Sequence, residues 1–332
     1  MQPLLSIIVP AYNVEKYLAQ CLDSVVRQDN GKLEIVLVND GSTDGTEAVC
    51  QAYAQRYPFI RAFSQENLGL SAARNFGIRR AAGQYLNFLD SDDLLPDGAV
   101  AAICAALEAK LPDVLVGLYE RLEEATGART PCGYRLEKEQ VDTLRGEALL
   151  RYLMTGRVYD WYAWLVTVSA AYLRRTDAYF CEGVYFEDAR WTPGVLLRAG
   201  SVLYLDEPLY VYRCGRAGSI TATFSEKAFV NKLELFSFFE QFAEAEQLSE
   251  QTKRLLYTNI SNSYVSILFD SWAFPKARRK AYLEKMRPYK FILASSPRAY
   301  HRLLDKLWSV FGLTFVSFLL HLRAKWVRKR MR

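Results

Sequence analysis

Short apolar runs alternate with amphipathic segments through the first hundred residues of the chain. Four of these runs are predicted to be buried strands, at residues 4–9, 33–38, 60–63 and 85–89. Apolar positions three and four residues apart predict helices between them, at residues 17–26, 46–56 and 71–82. Asn13 is placed to cap the first helix. This alternation predicts an α/β fold in which a mostly parallel, Rossmann-like sheet is flanked by helices on both faces.

The pattern becomes less regular after residue 100 and then turns helical. One further strand is predicted at residues 114–118. Helical spacing returns in the C-terminal third, at residues 225–247, 252–272, 275–287 and 303–322. We therefore divide the chain into four parts: two halves of an α/β domain, a helical extension and a last amphipathic, basic helix. Their bounds are residues 1–100, 101–224, 225–300 and 301–332.

Polar residues follow three of the predicted strands. They occupy residues 10–13, 39–45 and 90–93. In parallel sheets, ligands bind beyond the carboxyl ends of the strands. We therefore expect all three segments to line one crevice.

The last of these segments, residues 90–93, reads DSDD and directly follows an apolar run. Three carboxylates at the end of a buried strand are costly unless they meet a cation. Asp90 and Asp92 can point the same way, because side chains alternate along an extended chain. Oxygen ligands of this kind suit Mg²⁺ or Mn²⁺, which takes one or two carboxylates together with substrate phosphates. The alternative is an acidic turn that caps the helix after Pro96.

Asp40 ends another predicted strand and opens a loop that superficially resembles a calcium site. Gln51 stands at the twelfth position, where a bidentate Glu is needed, so we reject that interpretation. The chain also lacks a GxGxxG after a strand and any GxxxxGK[ST], which excludes dinucleotide and P-loop sites. A carboxylate only accepts hydrogen bonds, so Asp40 can select a base edge that offers an N–H, as uracil N3 does. Its alternative role is to form the turn itself.

Composition narrows the class of protein. With 51% hydrophobic and 24% charged residues the chain is globular. Its six scattered cysteines form no CxxC pair, which argues against a zinc site or disulfide framework and for a reducing compartment. The net charge of +5 comes from six basic residues within the last ten, which leaves the body of the chain nearly neutral. A nucleic-acid binder would show a basic face across its fold, whereas the excess positive charge of this chain lies in its tail. The composition therefore argues against nucleic-acid binding.

Four motifs follow one another along the chain: SIIVPAYN at residues 6–13, VNDGSTDGT at 38–46, ENLGLSAARNFG at 66–77 and DSDD at 90–93. Together they resemble the family 2 inverting glycosyltransferases of the GT-A fold. The resemblance is strong over residues 4–100 and moderate over 150–220. It implies that residues 1–100 bind a nucleotide-sugar donor, most often a UDP-sugar. Residues 101–224 would bind the acceptor and carry the catalytic base.

The resemblance also implies which residues bind the donor. Asp40 and Arg74 would hold the base, and the backbone around Pro10, Ala11 and Tyr12 would frame the nucleoside. The alternative for Arg74 is an exposed helix arginine.

Two aspartates and an arginine would lie near the diphosphate of the nucleotide-sugar donor. By the same resemblance, Asp90 would contact the ribose or the water shell of the metal. Asp92 would ligate a divalent cation, Mn²⁺ or Mg²⁺, that bridges the diphosphate. Arg213 or Arg216 would contact phosphate, because residues 210–221 are similar to the segment that closes over the diphosphate in relatives. The sequence does not decide between these two arginines.

An inverting transfer needs a base opposite the leaving group. Residues 183–190, GVYFEDAR, look like the family's Glu-Asp motif. We expect Asp188 to be the base and Glu187 to orient the acceptor or the loop. The alternative is an acidic pair that complements a helix N-terminus.

Two further segments bear on the acceptor. Trp161, Tyr162 and Trp164 could form a platform for a sugar ring, or could be core aromatics. Residues 303–322 are interrupted and too short for a bilayer crossing. With the basic tail they predict a helix in the membrane interface, against the alternatives of a packed helix or a short span. By analogy, we expect a peripheral enzyme on the cytoplasmic face of the cell membrane, with a lipid-linked glycan acceptor in cell-surface polysaccharide biosynthesis.

Two rival functions stay open. A GT-A-like nucleotidyltransferase would build nucleotide-sugars, but it normally opens with a Gly-rich basic loop where this chain has residues 10–13. A catalytically silent nucleotide-sugar-binding scaffold of a polysaccharide complex would not need Asp40, Asp92 and Asp188 together.

Overall fold

The computed structural model describes residues 2–155, 159–216, 225–296 and 298–330, with side chains as far as Arg323. The chain divides into two compact units. The first comprises Met1–Leu153 and Tyr159–Ala222, and the second comprises Met154–Val158 and Thr223–Arg332.

A single sheet forms the centre of the first unit. Among the described residues its strands are β1 (Leu5–Ala11), β2 (Leu33–Asp40), β3 (Ile60–Gln65), β4 (Tyr85–Phe88), β5 (Val114–Glu123), β6 (Arg129–Pro131), β7 (Val166–Ser169) and β8 (Val202–Cys214). The five strands predicted from apolar runs are all present. Every residue of β1 and β2 is buried, as expected for parallel strands covered on both faces.

The strand order is β3-β2-β1-β4-β7-β5-β6, with β8 also paired to β5. β1 runs parallel to β2 and β4, and β2 runs parallel to β3. β7 lies antiparallel between β4 and β5, whereas β8 runs parallel to β5. The predicted α/β sheet is therefore confirmed. The sequence did not reveal β6, β7 or β8, because β6 and β7 are short and β8 is broken by exposed residues.

Helices cover this sheet. They are α1 (Glu15–Val26), α2 (Thr46–Arg56), α3 (Leu70–Arg80), α4 (Ala99–Lys110), α5 (Lys138–Thr143), α6 (Gly146–Met154), α7 (Ala170–Thr176) and α8 (Glu187–Arg198).

Two local predictions are wrong. Asn13 does not cap α1; its side-chain oxygen accepts the Thr43 amide at 2.8 Å and so holds the loop after β2. β3 is not a buried strand, because it lies at the edge of the sheet and only Ile60 is fully covered.

The second unit is helical. Its described helices are α9 (Glu226–Ala245), α10 (Glu250–Asn259), α11 (Ser261–Asp270), α12 (Lys276–Met286), α13 (Phe291–Ser295), α14 (Ala299–Phe311) and α15 (Leu313–Arg330).

Two helices predicted in this unit are each split in the structure. The segment 252–272 breaks at Ile260, between α10 and α11. The segment 303–322 breaks at Gly312, whose φ of 82° lies in the region that favours glycine. No helix within the described residues combines the length and the apolar composition that a bilayer crossing requires.

Candidate active site

The carboxyl ends of β1, β2 and β4 lie side by side, because these three strands are parallel neighbours. They bring Ala11, Asp40 and Asp90 to one edge of the sheet, as predicted for a crevice. Pro10 and Ala11 are buried, whereas Tyr12 is 47% exposed. The Tyr12 ring is thus available to a ligand at this edge.

Asp40 is buried and organises the loop that leads into α3. One carboxylate oxygen accepts the Gln65 side chain at 2.7 Å and the Leu68 amide at 3.0 Å. The other accepts the Gly69 amide at 2.8 Å. A carboxylate has about four acceptor sites, so one position on the second oxygen remains for an N–H donor. Both roles foreseen for Asp40, turn former and base acceptor, are compatible with this geometry.

Arg74 joins the two halves of the site. Arg74 is a residue of α3, and it is only 1% exposed. It donates to Asp90, Glu187 and Asp188, each at 2.8 Å. The alternative of an exposed helix arginine is therefore wrong. The predicted contact of Arg74 with the donor base stays a prediction, and both terminal nitrogens are already bound to carboxylates.

The Asn that follows Arg74 supports the same region. The Asn75 side chain exchanges hydrogen bonds with the backbone of Phe180 and also donates to Glu182 at 2.8 Å. These bonds fix the loop that leads into α8, so Asn75 supports that loop.

Glu187 and Asp188 form the first turn of α8. The acidic pair thus complements the helix dipole and lies in the site at the same time, so the two alternatives do not exclude each other. Burial raises the pKa of Asp188 to about 7, with Arg74 opposing this and Glu187 adding to it. The backbone amide of Ala163 donates to the same carboxylate. A pKa near neutrality suits a group that takes and releases a proton.

The turn after β4 is anchored from β8. Asp93 is buried and accepts the Tyr210 hydroxyl at 2.6 Å and the Arg213 amide at 2.7 Å. Burial, reinforced by Asp92 and Asp90, raises the pKa of Asp93 well above its ordinary value. Asp93 is therefore the structural member of the motif.

Asp90 and Asp92 are the partly exposed members, at 27% and 18% of their side chains. Asp90 is paired with Arg74, whereas Asp92 is paired with Arg216. Burial and the charge of Asp90 raise the pKa of Asp92, and Arg216 lowers it.

The structure distinguishes the two candidate phosphate arginines. Arg213 donates through all three side-chain nitrogens, to the Asp92 carbonyl, Glu124 and Gln20, at 2.6 to 2.7 Å. The diphosphate contact of Arg213 stays a prediction, and this arrangement makes it a support for the loop. Arg216 lies over the Tyr17 ring and faces Asp92, so it is the better placed of the two. Residues 217–221 of the predicted closing segment lie outside the described residues.

A divalent cation is compatible with these carboxylates. Within the described part of the chain, no three His, Cys, Asp or Glu side chains converge as a self-sufficient metal site. An ion completed by substrate phosphates needs only one or two carboxylates, a number that Asp90 and Asp92 could supply. Each carboxylate already faces a guanidinium, which occupies the position of a counter-charge.

Two of the three predicted platform aromatics belong to the core. Trp161 and Trp164 are 6% and 4% exposed, whereas Tyr162 is half-buried. Sequence reasoning missed Tyr210 and Tyr212. Their spacing of two on one strand face was the available signal, but β8 itself was not recognised.

Comparison with known proteins bears on the family and the fold. The family model described as Glycosyl transferase family 2 matches residues 6–161, which include β1 to β4 and the aspartate turn. Residues 6–161, somewhat less than half of the chain, therefore carry the family 2 glycosyltransferase domain. The chain is similar to the uncharacterized glycosyltransferase EpsJ of Bacillus subtilis, at 36% identity over 64% of this chain. The alignment spans 62% of the length of EpsJ.

Solved structures establish the GT-A fold of this glycosyltransferase domain. Residues 1–349 of S. aureus TarS, in complex with UDP-GlcNAc, match with a TM-score of 0.69 at 19% identity. That match covers 97% of this chain and 91% of the TarS chain. The Pyrobaculum calidifontis mannosyltransferase PcManGT, in complex with GDP-Man and Mn²⁺, matches with a TM-score of 0.55 at 17% identity. It covers 97% of this chain and 88% of PcManGT.

Proposed function

We propose that the protein is a metal-dependent inverting glycosyltransferase that moves a hexosyl or N-acetylhexosaminyl group from a UDP-sugar to a hydroxyl of a glycan acceptor. The observation that carries this proposal is the Arg74 bridge. It holds Asp90 of the aspartate turn and Asp188 of α8 on one guanidinium, at 2.8 Å each. A donor-side carboxylate and a candidate base are thus fixed close together, as a single displacement requires.

Asp188 is the proposed general base. It would take the proton of the acceptor hydroxyl as that oxygen attacks the anomeric carbon from the face opposite the leaving group. Arg74 and the Ala163 amide hold the carboxylate in place, and burial, together with the charge of Glu187, keeps its pKa near 7. Glu187 shares the guanidinium with Asp188 and would orient the base or the acceptor.

The donor would lie along the carboxyl edge of the sheet. Asp40 would accept an N–H of uracil, and the exposed Tyr12 ring would lie beside the nucleoside. Asp92, with Asp90, would hold a divalent cation, which when bound stabilises the charge that develops on the leaving diphosphate. Arg216 would turn from Asp92 to the phosphates, because a guanidinium binds either anion well.

Thermal stability tests the donor site directly. The protein would be melted with UDP, GDP or CDP, each in Mn²⁺ or in EDTA, beside an Asp92→Ala variant. A ligand at about 100 times its Kd adds about 2.7 kcal/mol, which is a resolvable shift. We expect a UDP shift that requires Mn²⁺ and vanishes in the variant. Absence of a shift with every nucleotide would refute the donor site. A UDP shift without release of UDP from a panel of UDP-sugars would favour the silent scaffold instead.

We further propose a peripheral attachment to the cytoplasmic face of the membrane, where a lipid-linked glycan acceptor for cell-surface polysaccharide would be found. Its support is a set of exposed apolar side chains on α14 and α15, followed by the basic tail. They are between 39% and 72% exposed: Leu303, Val310, Phe311, Phe315, Phe318 and Leu322. Apolar side chains beside cations favour an anionic lipid surface.

Vesicle sedimentation tests this attachment. We expect binding to phosphatidylglycerol vesicles, weaker binding to phosphatidylcholine, and loss of both in a Phe315→Ser, Phe318→Ser double variant. Equal recovery of the wild-type protein with and without vesicles would refute it.

A further inference from the structure

A column of aromatic rings crosses the first unit beside the candidate active site. Tyr210 stacks on Trp164 with ring centroids 3.9 Å apart and planes 9° apart. Trp164 stacks on Tyr162 at 4.5 Å and 12°. The Tyr212 ring lies beside these two rings, with its centroid 5.9 Å from Trp164 and 6.0 Å from Tyr162.

The inner and outer members of this column differ in burial. Tyr210 and Trp164 are 1% and 4% exposed, so their faces are covered by protein. Tyr162 and Tyr212 are half-buried, so part of each residue reaches the surface. Within the described part of the chain, neither outer hydroxyl makes a side-chain hydrogen bond, and neither is a buried unsatisfied atom.

Both ends of the column are linked to residues of the candidate active site. The Tyr210 hydroxyl donates to Asp93 of the aspartate turn at 2.6 Å. Tyr162 precedes Ala163, whose amide donates to the proposed base Asp188. The Thr192 hydroxyl of α8 donates to the Trp161 carbonyl at 2.7 Å, which ties the aromatic segment to the helix that carries the base.

Polar groups surround the outer rings. Asp160 accepts the Tyr119 hydroxyl at 2.7 Å through one oxygen and is close enough for its charge to act on Tyr162. Arg121, which is exposed, donates to the Tyr119 hydroxyl at 3.3 Å. A sugar ring has an apolar C–H face and a rim of hydroxyls. Aromatic faces bordered by a carboxylate and a guanidinium complement both of these surfaces.

We propose that Tyr162 and Tyr212 form an acceptor-sugar platform, on which a pyranose ring of the acceptor stacks with a hydroxyl directed to Asp188. The platform rests on the proposed glycosyltransferase function and specifies the side on which its acceptor binds. Asp160 would accept one further hydroxyl of the same ring. Trp164 and Tyr210 act as the rigid backing that positions the two outer rings, which lowers the entropy cost of stacking.

Saturation-transfer NMR with a panel of methyl glycopyranosides tests the platform, in the presence of UDP and Mn²⁺. We expect at least one glycoside to bind the wild-type protein. Tyr162→Ala or Tyr212→Ala should weaken that binding about tenfold, whereas Tyr162→Phe, which keeps the ring, should retain most of it. Tyr57→Ala is the matched control, because Tyr57 is also half-buried among aromatic rings, far along the sheet at the end of α2.

Folding and donor binding are followed separately. Each variant should keep the wild-type thermal shift with UDP, so that a loss of glycoside binding cannot come from unfolding. Equal glycoside binding by Tyr162→Ala and the wild-type protein would overturn the platform, and so would failure of every glycoside to bind the wild-type protein. Absence of the UDP shift in the wild-type protein would instead refute the proposed function, and glycoside binding would still report on the platform.

Discussion

Replacement of Asp188 by Asn removes the proposed base and keeps the shape of the side chain. The amide oxygen of Asn can still accept the Arg74 guanidinium, which lies 2.8 Å from the native carboxylate. General base catalysis contributes about 10²- to 10⁴-fold, so we expect a rate loss of that order in sugar transfer. UDP affinity should stay unchanged, because Asp188 is not among the residues proposed to hold the donor.

The same substitution should change how stability depends on pH. Burial raises the pKa of Asp188 from 3.8 to about 7 in the folded protein. A raised folded-state pKa means that the folded state binds the proton more tightly. The stability that this provides is complete below pH 4 and is lost as the pH rises through 7. At about 1.4 kcal/mol per pKa unit the upper limit is about 4 kcal/mol.

Two features of the site reduce that limit. The Asp188 side chain is 19% exposed, and it shares one guanidinium with Glu187 and Asp90. Between pH 4 and pH 8, we therefore expect the free energy of unfolding of the wild type to change by about 1–2 kcal/mol relative to that of Asp188→Asn. In a unit of this size that corresponds to about 2–8 °C in Tm.

Thermal melts at several pH values between 4 and 8 measure this difference. The wild-type Tm should fall more steeply toward pH 8 than the Tm of Asp188→Asn, which should be the more stable protein there. Asp97→Asn is the control, since Asp97 pairs with Arg27 at the surface and is 83% exposed. Parallel curves for the wild type and Asp188→Asn would refute the buried, proton-holding carboxylate.

Three further substitutions test the framework of the site. Arg74→Lys keeps the charge but not the planar fork that reaches three carboxylates. We expect the free energy of unfolding, measured in urea, to fall by about 2–4 kcal/mol. An unchanged urea midpoint would contradict the bridge. Tyr210→Phe removes the donor to the buried Asp93 and should cost about 1–3 kcal/mol in the same assay; wild-type stability would show that this bond is dispensable. Gly77→Ala adds a methyl group that overlaps the Ile8 side chain, where α3 meets β1. The free energy of unfolding should fall by about 1–3 kcal/mol. Stability equal to that of the wild type would mean that α3 can shift away from β1.

Much of the fold could be predicted because its signals are local. Continuous apolar runs identified β1, β2 and β4, and the parallel order then placed Asp40 and Asp90 at one edge of the sheet. Helix boundaries in the second unit were less certain, because a break at Ile260 or Gly312 interrupts an apolar stripe without ending it.

The contacts that define the site are not local, and sequence patterns could not reveal them. Arg74 reaches Asp90, 16 residues away, and Glu187 and Asp188, which are 113 and 114 residues away. Sequence alone left Arg213 and Arg216 as equal candidates for a phosphate contact; the position of Arg213 on β8, next to Gln20 and Glu124, could not be predicted. The contacts of Arg213 depend on β8, one of the strands that the sequence did not reveal.

The anchoring of the aspartate turn by β8 limits how this protein can be divided. The family model ends at residue 161, yet Asp93 depends on the Tyr210 hydroxyl and the Arg213 amide, and β5 pairs with β8 along most of its length. A fragment that stops at residue 161 would leave a buried carboxylate without its donors and a sheet edge without its neighbour. Chimaeras between relatives should therefore exchange everything from β1 to Cys214 as one piece, since a donor half transferred alone would arrive without its own support.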